Sequence, residues 1–202
     1  LAQLELGFPA RRVMGMAGLL DTARYRHFLA ERAAVDVSRV DALTLGSHGD
    51  TMVPLSDSAT IDGQSALDVL GRDALDEVVE RTRAGGAEVV RLLQSGSAYW
   101  APSAAVLRMA EAIVLDRRVV LPVSAYLEGQ FDITGVYLGV PARIGRGGVL
   151  EIVEAGVSPR EREELQAAAE EVRSRVADLA PAGAAPPAPP GSLADAVRSL
   201  LL

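Results

Sequence analysis

Three features of this 202-residue sequence predict an α+β fold. Its segments run helix, mixed strands, helices, antiparallel strands, helix. The strand-like runs are grouped and joined by short glycine-rich turns. The regular strand–helix alternation of a doubly wound sheet is missing. The expected architecture is mixed antiparallel strands packed with long helices.

Each element has its own signal. Residues 1–6 read as the last turns of a helix stopped by Gly7 and Pro9, as in a chain that starts inside a larger protein or at a non-standard start codon. "RVMGMAG" (12–18) reads as extended. Residues 19–34 place Leu20, Ala23, Arg24, Phe28 and Leu29 at helical spacing. "VDALTLGSHGDTMVPLSDSATIDG" alternates apolar runs with turn residues, as strands around an exposed turn do. Residues 71–94 carry a helical pattern that Gly85-Gly86 should break or kink. A further helix runs from about Pro102 to Leu115. "RVVLPVSAYLEG", "ITGVYLGVPARIG" and "GGVLEIVE" are strand-like, with "GRGG" turning between the last two. Ser158 and Glu161 form a capping box, with Pro159 at the first helical position. The helix behind it carries Leu165, Ala168, Ala169, Val172, Val176 and Leu179 as one apolar stripe. These signals place one domain at 1–179. "APAGAAPPAPPG" (180–191) follows as a semi-rigid linker, and 192–202 as a short amphipathic tail, either docked or frayed.

Composition narrows the functions. With 49% hydrophobic and 23% charged residues the chain reads as soluble and globular. Neither a transmembrane run nor a signal peptide is visible, so the cytoplasm is the expected compartment. A net charge of −7 argues against nucleic acid as a partner. All 20 basic residues are arginine, which removes Schiff-base lysines and the usual P-loop. With no cysteine and 2 histidines, no metal site is expected.

One of those histidines, His48, sits in "LGSHGDTMVP", framed by glycines and followed by Asp50. Taken alone, it is a turn residue. Ser47, His48 and Asp50 are too close in sequence to reach the geometry of a hydrolase triad. Asp21 and Arg24, three apart, share a helical face and taken alone are a surface ion pair.

Together these residues say more. "GMAGLLDTARYRHFL" followed by "LGSHGDTMVPL" resembles the catalytic half of the lactate/malate dehydrogenase family. "GSAYWAPSAAVLRMAEAI" and "VLPVSAYLEGQFDITGVYLGVPARIGRGGV" continue the resemblance in order, over roughly residues 1–179. It implies the family's C-terminal fold and an NAD-dependent interconversion of malate and oxaloacetate. His48 matches the acid/base that exchanges the hydroxyl proton, Asp21 the carboxylate that holds the imidazole, and Arg24 the residue that grips the substrate carboxylate. The residue types suit these tasks. Imidazole titrates near neutrality, a carboxylate on one ring nitrogen fixes the tautomer, and an arginine fork orients a carboxylate through two parallel bonds.

Ser97 and Ala98 fall where the family lines its substrate pocket, and their small side chains leave room for a second carboxylate. Met16 matches the neighbourhood of the nicotinamide ring, with core packing as the alternative reading. "GMAGLLD" and "GSAYWAP" resemble malate rather than lactate dehydrogenases of the lactate-dehydrogenase-like type; lactate-type specificity is the alternative. The resemblance also implies dimers or tetramers.

The family's N-terminal Rossmann half opens with G-x-G-x-x-G, a spacing not found in this sequence. Three arrangements are therefore open. The chain is a piece of a larger dehydrogenase, a split enzyme completed by a second polypeptide, or a non-catalytic interaction module that keeps the fold.

Overall fold

The structure, a computed structural model, describes residues 7–49, 51–95 and 98–179. The linker and tail read at 180–202, the helical turns read at 1–6, Asp50 and Ser97 lie outside them. The helices are α1 (Ala17–Ala33), α2 (Ala66–Leu70), α3 (Arg72–Leu93), α4 (Trp100–Val114) and α5 (Pro159–Leu179). The strands are β1 (Val40–Asp41), β2 (Thr44–Gly46), β3 (Met52–Pro54), β4 (Thr60–Ile61), β5 (Gln64–Ser65), β6 (Val119–Glu128), β7 (Thr134–Gly145) and β8 (Gly148–Ile152). All strand pairs are antiparallel.

The long β7 organises the larger sheet. It pairs with β6 along nearly its whole length, while β2 and β8 meet its other edge. β2 reaches β7 through one pair, Gly46 with Gly139. A β-carbon on Gly139 would stand 2.5 Å from the Gly46 carbonyl oxygen, so only glycine permits this approach. The segment read as extended before α1 makes a single bridge, Gly15 to Ser124 of β6. β1, β4 and β5 form a second, smaller sheet.

Two apolar cores result, and α1 belongs to both. The main one gathers Leu45, Val53, Leu121, Val123, Leu138, Val140 and Leu165 between the large sheet, α4 and α5. Met16 and Leu19, at the start of α1, pack against it. The second gathers Tyr25, Phe28 and Leu29 of α1 with Val40, Ile61, Leu75, Val78 and Val79. Asp21 lies between these two stretches of the helix.

The capping box forms as the sequence predicts. The Glu161 amide donates to Ser158 Oγ at 3.3 Å and the Ser158 amide to Glu161 Oε2 at 2.9 Å. Of the predicted stripe on α5, Leu165, Ala168 and Ala169 are fully buried, whereas Val176 is exposed.

One expectation fails: α3 runs unbroken through Gly85-Gly86. Glycine inside a helix costs only about 0.5–1 kcal/mol against alanine. The buried face formed by Ala74, Leu75, Val78, Val79 and Thr82 outweighs that. Gly85 continues this buried face, and the Arg24 side chain lies against it.

Candidate active site

α1 presents Asp21 and Arg24 on one face, three residues apart, and the β2–β3 turn brings His48 over them. The turn is closed by the Met52 amide donating to the Gly49 carbonyl at 3.1 Å, and by a hydrogen bond between the Ser47 and Thr51 hydroxyls. Ser47 is thus engaged with Thr51. The turn is tied to α1 by the Thr44 amide, which donates to Thr22 Oγ1 at 3.0 Å. Thr22 and Thr44 are both buried.

His48 Nδ1 lies 2.9 Å from Asp21 Oδ2 and 3.1 Å from Oδ1. A carboxylate only accepts hydrogen bonds, so Nδ1 carries a proton and donates it. In the neutral ring Nε2 then has the free lone pair. Arg24 Nη1 stands 3.4 Å from Asp21 Oδ1. Asp21 is 1% exposed, and its buried charge is compensated by these two donors. The hydrogen bond to Asp21 raises the pKa of His48 above its usual 6.5; partial burial and the Arg24 charge oppose the rise. The ring is half-exposed, which leaves Nε2 open to a small molecule.

Of the other site residues read from the sequence, Ser97 lies outside the described residues. Ala98 is half-buried in the short lead into α4. Met16 is partly buried and packs against the main core. Sequence reasoning missed Thr22 and Gly85. A threonine beside Asp21 carries no signal of its own, and a Gly-Gly pair in a helical stretch reads first as a breaker.

This arrangement is a hydrogen-bonded imidazole–carboxylate pair beside a guanidinium. The sequence from residue 19 to 180 matches the lactate/malate dehydrogenase, alpha/beta C-terminal domain. The chain belongs to that family. Family members include the malate dehydrogenase of Roseiflexus sp. (strain RS-1), 47% identical over 179 residues, or 89% of this chain and 58% of the relative. The chain therefore spans a little over half the length of the curated relatives it matches. Among solved structures, the malate dehydrogenase of Salinibacter ruber is 43% identical with a TM-score of 0.82, covering 86% of this chain and 56% of that one. The lactate dehydrogenase of Cryptosporidium parvum, solved with lactic acid and nicotinamide adenine dinucleotide, is 38% identical with a TM-score of 0.84, covering 89% and 59%.

Proposed function

We propose that this chain is the substrate-binding and proton-transfer half of an NAD-dependent malate dehydrogenase, interconverting malate with NAD and oxaloacetate with NADH. The observation that carries the reading is the His48–Asp21 pair with Arg24 beside it. Nε2 of neutral His48 accepts the C2 hydroxyl proton when malate is oxidised, and the imidazolium returns it in reduction. Asp21 holds the tautomer and stabilises the imidazolium. Arg24 binds the C1 carboxylate through its fork and so fixes the orientation of C2. Ala98, small and half-buried, is read as part of the pocket that takes the second carboxylate of a dicarboxylic acid.

NAD supplies the hydride acceptor when bound. Among the described residues no strand, glycine-rich turn and helix come together as a pyrophosphate cradle. Homo-oligomeric assembly belongs to the same reading. Trp100, Leu107 and Val114, seven residues apart along α4, are exposed and supply apolar surface for such a contact.

The test is NADH oxidation by oxaloacetate with the chain supplied with a nucleotide-binding half, against His48→Ala. Activity in the parent and its loss in the variant support the reading. Full turnover in His48→Ala overturns it. The likeness to the Cryptosporidium lactate dehydrogenase favours lactate-type specificity as the second reading; preference for pyruvate over oxaloacetate in the same assay would select it.

A further inference from the structure

Gly85 and Gly86 are neighbours in α3 with different surroundings. A β-carbon on Gly86 meets nothing within 4 Å. One on Gly85 would stand 2.4 Å from Cδ, 2.7 Å from Nε and 3.3 Å from Cζ of Arg24. Such contacts lie well inside van der Waals range, so side chain or helix would have to move. Gly85 is buried, and the Arg24 side chain is 13% exposed. The end of the arginine therefore rests on bare helix backbone.

Polar contacts alone hold the guanidinium loosely. Its ion pair with Asp21 is 3.4 Å long, against about 2.7–2.9 Å for a well-formed charge-assisted bond. An arginine has several rotatable bonds, and a carboxylate anchor is useful only when its fork points one way. The steric seat on α3 supplies what the long ion pair does not.

We propose that Gly85 is a positioning residue for Arg24: the absence of a side chain there sets the direction in which the guanidinium meets a substrate carboxylate. The inference rests on the reading of Arg24 as that anchor, but the contact itself is independent of it.

A melting cycle on the full chain tests the contact. Alanine at a helical glycine ordinarily stabilises, because it restricts the unfolded chain. Gly86→Ala raises the melting temperature. Gly85→Ala gives less than that gain while Arg24 is present, because the end of the arginine is displaced, and the full gain in the Arg24→Ala background, where the added methyl has room. That difference is a coupling that independent sites do not show. A Gly85→Ala chain that fails to fold, and folds again with Arg24→Ala added, is the same result in extreme form. Gly85→Ala behaving as Gly86→Ala does, or a folding defect that Arg24→Ala does not relieve, overturns the contact.

Kinetics with the nucleotide-binding half supplied test the positioning. Gly85→Ala raises KM for oxaloacetate by about 10- to 100-fold and changes kcat by less than about 3-fold, as loss of binding shared by ground and transition states requires. Gly86→Ala leaves both unchanged. A coupled melting cycle with unchanged KM overturns the positioning role. A parent that reduces neither oxaloacetate nor pyruvate removes the anchoring reading, and the melting cycle still reports the contact.

Discussion

His48 donates its Nδ1–H to Asp21, which lies 27 residues earlier on a different element, at 2.9 Å from Oδ2 and 3.1 Å from Oδ1. The carboxylate is buried and the ring is half-exposed, so the pair has one sealed end and one open end. Asparagine at position 21 would keep the shape and change the chemistry. Its amide group donates as readily as its oxygen accepts, which allows the ring to carry its proton on Nε2 and close the lone pair. Asp21→Asn should lower kcat by about 10²-fold or more, within the usual contribution of positioned acid–base groups. Steady-state rates of oxaloacetate reduction measure it; a loss below about threefold would separate Asp21 from the proton transfer.

The raised pKa of His48, caused first by its hydrogen bond to Asp21, fixes the sign of the pH dependence. On the proposed mechanism reduction of oxaloacetate needs the imidazolium, so its rate should fall as pH rises through the raised value. Oxidation of malate needs the neutral ring, and its rate falls as pH drops through the same value. In Asp21→Asn the inflection should move towards acid. Stability follows the same linkage. A folded-state pKa above the unfolded 6.5 stabilises the fold fully below 6.5, and the contribution is lost as pH rises through the folded value. Urea midpoints of the parent and His48→Ala across pH 5–9 should differ most at the acid end. An inflection unmoved by Asp21→Asn would show that another group governs the profile.

His48 and Arg24 should fail in different ways. His48→Ala removes proton transfer and lowers kcat by about 10²–10⁴-fold, leaving oxaloacetate affinity nearly intact. Arg24→Ala removes the fork proposed to bind the substrate carboxylate, and weakened affinity should be the larger part of its defect. Arg24→Lys restores charge without the fork and should recover only part of the loss. Direct binding of oxaloacetate to the assembled enzyme separates the variants. Unchanged affinity in Arg24→Ala would remove Arg24 from the carboxylate.

Much of this arrangement was legible in the sequence because it rests on local rules. Asp21 and Arg24 share a face by helical spacing alone, and the Ser158–Glu161 box is a four-residue pattern. His48 in a glycine-framed turn was visible as an exposed polar residue, although its partner came only from the resemblance. What stayed hidden depends on tertiary approach. Gly85 looked like a breaker because its value lies in a contact with Arg24, which is 61 positions earlier in the numbering. Gly139 is similarly explained only by the carbonyl of Gly46. The bond from Thr44 to Thr22 has no sequence signature, since neither threonine belongs to a pattern.

That bond also carries a prediction. Thr44 pairs across the hairpin with Pro54, and its amide turns instead to Thr22 Oγ1 on α1. Both residues are buried, at 1% and 7% exposure, so water cannot replace the acceptor cheaply. Thr22→Val keeps the branched shape and leaves the Thr44 N–H unpartnered, at a cost of about 1–3 kcal/mol. Thr22→Ser retains the oxygen and should keep the bond, losing only the packing of one methyl. The consequence reaches the site, because β2 leads directly into the turn that bears His48 and Thr22 adjoins Asp21. Thr22→Val should therefore shift the His48 ring resonances as well as the urea midpoint, and Thr22→Ser should leave the ring resonances near their parent positions. Equal midpoints for the two variants would mean that the hydroxyl contributes nothing to holding the turn against the helix.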